Sequence, residues 1–350
     1  MYTYTYDQEQ CTDTRLVGGK AASLADMTQR GLPVSPGFAV TAEAYLNYVH
    51  QGDTWERLGA VIRPLSKDQD FDAYDEAERQ VREIFSEIDL PDEVKKEIAD
   101  SYEALCRETG VENVAVAVRS SATAEDSVDA SFAGEFETWV DIVGAEDVVA
   151  HVRKCYESVY SARVLSYLAS KNIAVKDIEM AVVVQKTVRA RSAGVMFTIS
   201  PISGDRSKIS VDASWGLGLS VVGGEVTPDH WVVDKVTNTV VSHTPGDKRI
   251  EYRRGDAPVD VEESRWAEPC LSDEEVLALA QYGLKLEKDH GDAPQDIEFA
   301  IDEELPDGSN LVLLQCRPET VWSHKERTPA FDAGGSMMDW ITGTITGTTS

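Results

Sequence analysis

Four segments of this chain put polar side chains where phosphate or metal chemistry could use them. The first is Val17-Gly-Gly-Lys-Ala-Ala-Ser-Leu24, in which Lys20 follows two glycines and opens a stretch that reads as a helix to Gln29. Glycine amides at a helix start can approach a phosphate closely, and the ammonium adds a point charge. An ordinary surface helix behind a glycine turn would look the same. In the second, Val116-Ala-Val-Arg-Ser-Ser-Ala-Thr-Ala-Glu-Asp126, an alternating strand delivers Arg119 into a loop of hydroxyls. The planar guanidinium fork grips two phosphate oxygens, although an ion pair with Glu125 or Asp126 would also account for it. The third, Ser131-Phe-Ala-Gly-Glu-Phe-Glu-Thr138, puts Gly134 at a tight turn that leads into a strand. The fourth joins Asp296-Ile-Glu-Phe-Ala300 to Leu313-Leu-Gln-Cys-Arg-Pro-Glu-Thr320. Alternation puts Asp296 and Glu298 on one face of a strand, with Gln315 and Arg317 together on the next. A hairpin turning at 306–310 would bring carboxylate, amide oxygen and guanidinium together, which suits a hard cation and a phosphoryl group. An exposed cross-strand ion pair is the plainer alternative.

Other chemistries are excluded by what surrounds the residues. Gly19-Lys20 is not the end of a P-loop, because position 14 is Thr and Ala21 stands where a Mg-binding hydroxyl is required. Gly216 and Gly218 lack the third glycine of a dinucleotide fingerprint, and neither GxSxG nor HExxH occurs. The six histidines, at 50, 151, 230, 243, 290 and 324, are scattered, and none stands in a recognisable catalytic setting. Five cysteines, Cys11, Cys106, Cys155, Cys270 and Cys316, form no CxxC and no zinc spacing, as expected of reduced intracellular thiols.

The elements that must position these residues are legible over much of the chain. Pro91 and Asp92 open a helix over 93–108, with Val94, Ile98, Tyr102 and Leu105 on one face. Ser272 with Glu275 three residues on is a capping box for a helix over 271–289 that stops near Gly291. Strands are expected at 114–119, 180–184, 195–199, 209–211, 231–233, 296–301 and 311–315, so the fold class is α+β rather than a doubly wound sheet. The 350 residues carry 62 acidic against 33 basic side chains, a net charge of -29, with 42% hydrophobic residues. That supports a packed core of two or more lobes and opposes nucleic-acid binding, because such a field repels phosphate backbones. The acidity fits solubility, a saline habitat or attraction of a basic partner. Neither a basic, apolar leader nor a run of ~20 apolar residues is present, so a cytoplasmic protein without a membrane span is expected.

Taken in order, VGGKAASL, GLPVSPGFAVT, AVRSSATAEDS, SFAGEFET, MAVVVQKTV, DASWGLG, TPDHWVV, DIEFAI and LLQCRPETV resemble the nucleotide-binding domain of phosphoenolpyruvate synthases and pyruvate phosphate dikinases. The resemblance runs from about Leu16 to Val321. It implies an ATP-grasp fold whose two lobes enclose ATP, and a Mg2+-dependent transfer of the β-phosphoryl group to a histidine. By position, Lys20 and Arg119 match the phosphate-binding lysine and arginine, and Gly134 and Thr138 the loop over the phosphates. Gln185 matches the strand beside the adenine. Glu298 and Gln315 match the metal side of the cluster, and Arg317 with Arg119 the charges that neutralise the transferring group. The resemblance implies a nucleotide-binding domain over 1–320, divided into lobes near 1–110 and 111–320.

The departures bear on the acceptor. The histidine domain with its GGxxSHA sequence and the pyruvate-binding barrel of these enzymes have no counterpart here, and His324 in Trp322-Ser-His-Lys-Glu lacks the preceding glycines. Leu219 and Glu135 stand where Glu and Gln are usual. Such a nucleotide-binding half is similar to the small subunit of phenylphosphate synthase. That implies a hetero-oligomer with a separate histidine-bearing phosphocarrier subunit and a phenolic acceptor bound mainly by that partner. The alternatives are a part of a phosphoenolpyruvate synthase or of a rifampicin-type phosphotransferase, or a non-catalytic nucleotide sensor. Residues 321–350, with Trp322, Phe331, Met337, Met338, Trp340 and Ile341, are expected to be a linker or docking tail.

Overall fold

Alternation in the sequence becomes two large antiparallel sheets, beside two short two-stranded ribbons. The computed structural model describes residues 1–123, 126–127, 130–131, 138–253 and 257–322, with 126–127 and 130–131 as backbone. Gly134, Glu135, His324 and all but Val321 and Trp322 of the expected tail lie outside the described residues. The first sheet holds β1 (Thr3–Thr5), β2 (Gly37–Val40), β3 (Val116–Ala122), β4 (Thr138–Ile142) and β5 (Met180–Lys186), in the order β1-β2-β5-β3-β4. The second holds β6 (Ala190–Phe197), β7 (Lys208–Trp215), β8 (Asp229–Asp234), β9 (Thr239–Thr244), β10 (Gln295–Asp302) and β11 (Leu311–Pro318), in the order β9-β8-β7-β6-β10-β11. The chain passes from one sheet to the other between Lys186 and Ala190, later than the expected division near residue 110. The reason is pairing: β3 and β5 are neighbours, so residues far past 110 complete the first sheet.

The helices are α1 (Thr14–Gln29), α2 (Ala42–Val49), α3 (Thr54–Ile62), α4 (Phe71–Ser86), α5 (Asp92–Thr109), α6 (Ala145–Ser158), α7 (Ala162–Lys171), the single turn α8 (Leu219–Val222) and α9 (Asp273–Asp289). In α5, Val94, Ile98, Tyr102 and Leu105 are all buried, and Gly110 ends the helix in the left-handed conformation at φ 68°. Ser272 and Glu275 form the expected capping box of α9.

Why β5 is apolar throughout is clear from its two neighbours. Val182 and Val184 join a core with Tyr45, Phe85, Ile98 and Tyr156 from α2, α4, α5 and α6. Val183 faces the other way, into a core shared with Val17, Ala21 and Leu24 of α1. A strand buried on both faces loses its polar alternation. The second core continues through Leu313 and Cys316 of β11 to Trp231, Phe299 and the inner face of α9. Helix α1 therefore lies between the sheets, and Ser23 Oγ donates to the Cys316 carbonyl at 2.5 Å. The Leu313 amide also donates to the Pro33 carbonyl at 2.7 Å, so the edge strand β11 is tied to the first lobe. Two α+β lobes joined in this way are the ATP-grasp architecture that the sequence resemblance implies. Among the described residues no helix is long and apolar enough to cross a membrane.

Candidate functional site

The expected turn before Lys20 proves to be a break inside α1. Asp13 caps the helix by accepting from the Arg15 amide, and Gly18 then adopts φ 73° and ψ 170°. A Cβ at Gly18 would stand 2.0 Å from the Ser121 carbonyl oxygen, so the kink packs directly on β3. Ser121 Oγ donates to the Val17 carbonyl at 2.8 Å and accepts from the Ala21 amide at 3.2 Å, holding both sides of the break. This puts Lys20 against the same strand, with Nζ donating to the Ser120 carbonyl at 3.1 Å.

Arg119, next along β3, crosses from the first sheet to the second. Its Nη2 donates to Gln315 Oε1 at 2.9 Å and to Glu298 Oε2 at 3.1 Å, and Nη1 reaches the Leu314 carbonyl at 3.4 Å. The hairpin register puts Glu298 opposite Gln315 and Asp296 opposite Arg317, as alternation predicts. Between Glu298 and Phe299 the register shifts, because Phe299 faces Leu313 and Leu314 is an extra residue. That bulge turns the Leu314 carbonyl toward Arg119, an aim that no spacing rule reveals.

The guanidinium that meets Glu298 and Gln315 is thus Arg119, from the other lobe. Arg317 instead binds Asp296, through Nε and Nη2 at 2.8 Å each, two residue pairs toward the strand end. Burial pushes the Asp296 carboxyl above its usual range while Arg317 pulls it down. Behind it, burial raises the Cys316 thiol to about 12, which makes it an inert core residue. Thr138 pairs with Arg119 across β3 and β4 and is exposed. Gln185 lies on the Arg119 face of the first sheet, two pairs along, but its amide is buried and donates to the Ser35 carbonyl at 3.2 Å. It is not part of the Arg119 cluster.

One pair escaped the sequence reasoning. His230 on β8 stands opposite Asp212 on β7, and Nδ1 lies 2.7 Å from Asp212 Oδ1. The bond to Asp212 raises the imidazole pKa, with partial burial opposing it. The sequence signal was weak, because Lys208, Ser210 and Ser214 accompany Asp212 on its strand and Asp229 and Asp234 accompany His230 on its own. Their register was invisible.

The site fits a Mg-polyphosphate on its own donor set. Arg119 Nε is buried and has no hydrogen-bond partner among the described residues, so an acceptor is missing from the cluster. Glu298 and Gln315 offer hard oxygens, and among the described residues no group of three or more His, Cys, Asp and Glu forms a cage for a metal. A cation that keeps its water and phosphate ligands needs no such cage. Near the passage between sheets, Val188, Ala193, Ala300 and Val312 make a small buried apolar cluster.

Comparison with known proteins gives the same family as the motifs. A phosphoenolpyruvate synthase of Aeropyrum pernix is 41% identical over 339 residues, which cover 89% of this chain and 41% of that protein. A probable phosphoenolpyruvate synthase of Staphylothermus marinus is 38% identical over 351 residues, covering 93% of this chain and 42% of its own. For the phosphoenolpyruvate synthase of Pyrococcus furiosus the values are 37% over 369 residues, 94% and 44%. The chain spans less than half the length of these relatives. The family model for the pyruvate phosphate dikinase AMP/ATP-binding domain matches residues 14–334. With that match over most of its length, the chain belongs to the family of pyruvate phosphate dikinase AMP/ATP-binding domains.

Proposed function

We propose that this chain is the ATP-binding part of a dikinase of the phosphoenolpyruvate synthase type. In this reading it binds Mg-ATP between the two sheets and passes the β-phosphoryl group to a histidine carried outside the residues described. Water takes the terminal phosphoryl group, so AMP and inorganic phosphate are the other products. The observation that carries it is Arg119, which spans from the first sheet to Glu298 and Gln315 on the second and has no acceptor for Nε among the described residues. Glu298 and Gln315 would hold the cation, which when bound neutralises charge on the phosphates. Arg119 and Lys20 would grip phosphate oxygens, and Arg317, set by Asp296, would compensate charge as the group leaves. Such donors, fixed before the reaction, need no reorganisation in the transition state.

The relatives bear the name phosphoenolpyruvate synthase, which favours the pyruvate alternative over the phenol acceptor expected from the phenylphosphate synthase likeness. Whether the histidine belongs to a partner subunit or to further sequence is the finer part of the proposal. The test is product analysis with a histidine-bearing phosphocarrier domain and pyruvate. AMP with inorganic phosphate is expected, whereas ADP as sole nucleotide product would sink the dikinase chemistry.

A further inference from the structure

Directly paired residues of neighbouring strands project from the same face of a sheet. Across the second sheet, one row of pairs reads Gln315, Glu298, Val195, Asp212 and His230. The Asp212–His230 pair is therefore on the face that carries the Arg119 cluster. Only Val195 lies between Glu298 and Asp212, and two strand spacings make this gap about 10 Å. Glu298 and Gln315, with Arg119 bound to them, stand at one end of the row, and His230 stands at the other, three strand spacings or about 15 Å from Glu298. Two residues either side of Asp212, and on its face by alternation, Ser210 and Ser214 are buried to 3% and 1% exposure. Neither hydroxyl has a hydrogen-bond partner among the described residues. Asp212 takes Nδ1 of the ring, which leaves Nε2 as the nitrogen to be presented to a ligand.

We propose that His230, oriented by Asp212, is a second cationic contact for the polyphosphate, at the opposite end of the row from Arg119. The inference rests on the reading that this cleft takes Mg-ATP, and names a contact which that reading does not require. The ligand chemistry is a metal-bridged diphosphate or triphosphate, since the row is level with Glu298 and Gln315. A monophosphate has nothing to place there.

Asp212 is the charged group that acts on the ring. The other titratable groups on adjoining strands are engaged or turned away. Asp234 lies four residues along β8 and is bound by Lys208 at 2.5 Å, and Asp247 beyond β9 is bound by Arg249 at 2.9 Å. His243 stacks on Trp231, and Asp229 is buried against Lys248, both on the opposite face. Glu298 lies farther along the row, beyond Asp212 and Val195, and is bound by Arg119. The Asp212 bond raises the ring's pKa, so the imidazolium persists to higher pH than an isolated histidine allows and is lost as pH rises through the raised value.

Calorimetric titration of the full chain with Mg-ATP, Mg-ADP and AMP between pH 6 and 9 tests the proposal. In the wild type, ATP and ADP should weaken as pH rises. His230→Gln should bind them about tenfold more weakly at pH 6, match the wild type at pH 9 and lose the pH dependence, with AMP changed less than twofold. Asp212→Asn should keep the ring but move the inflection to lower pH, a readout that does not depend on the stability of His230→Gln. Equal ATP affinity in the wild type and His230→Gln across the range would overturn the inference, as would AMP weakened as much as ATP. Either result leaves ATP binding by the cleft intact. A wild type that binds none of the three overturns the functional reading and this inference with it.

Discussion

Every side-chain hydrogen bond described for Arg119 is made to the opposite sheet, and lysine could not copy the set. One ammonium has the charge but not the fork that meets Gln315, Glu298 and the Leu314 carbonyl together. Arg119→Lys should therefore keep the fold and weaken Mg-ATP about tenfold or more, the scale of one lost charge-assisted bond. Titration calorimetry would show it, and an unchanged affinity would reduce the cluster to a lobe-to-lobe tie. Glu298→Gln supplies the complementary case. It keeps the shape and removes a cation-binding charge, so part of the lost affinity should return at higher Mg2+.

Among the elements, α1 governs the position of Lys20 through one residue. Gly18 holds a backbone conformation that is essentially reserved for glycine, and a methyl group there meets the Ser121 carbonyl at 2.0 Å. Gly18→Ala should cost on the order of 4 kcal/mol, strain and overpacking together, and should displace Lys20 from β3. Gly31→Ala is the control. That glycine also has positive φ, at 71°, but a Cβ would meet nothing within 4 Å, so about 1 kcal/mol of strain is expected. Denaturant midpoints of the two variants compare the contact with the dihedral, and equal losses would refute the role given to Ser121.

At the scale of the molecule, a net charge of -29 repels itself in the compact state. Many acidic side chains have local partners, such as the Arg57 to Glu87 pair at 2.6 Å, but 62 cannot be neutralised by 33. Raising ionic strength from about 0.01 to about 0.15 M shortens the screening length from about 30 to about 8 Å. Thermal unfolding should accordingly shift upward by a few degrees, as followed by calorimetry, with most of the gain at the low end. A flat response would mean that the acidic charge is already compensated.

Much of the site was legible in sequence because its parts obey local rules. Alternation alone puts Glu298 beside Asp296 and Gln315 beside Arg317, and the capping box at Ser272 needs only its own first turn. The hairpin pairing follows from two adjacent strands and a turn. What local rules cannot carry is the approach of residues far apart in the chain. That Arg119 and not Arg317 meets Glu298 depends on how α1 holds β11 against the first lobe, and on the extra residue Leu314 in the ladder. The burial of Gln185 against Ser35 is decided by the pairing of β5 between β2 and β3. His230 looked like a scattered histidine because its partner Asp212 lies on a neighbouring strand, and register between strands exists only once the sheet is formed.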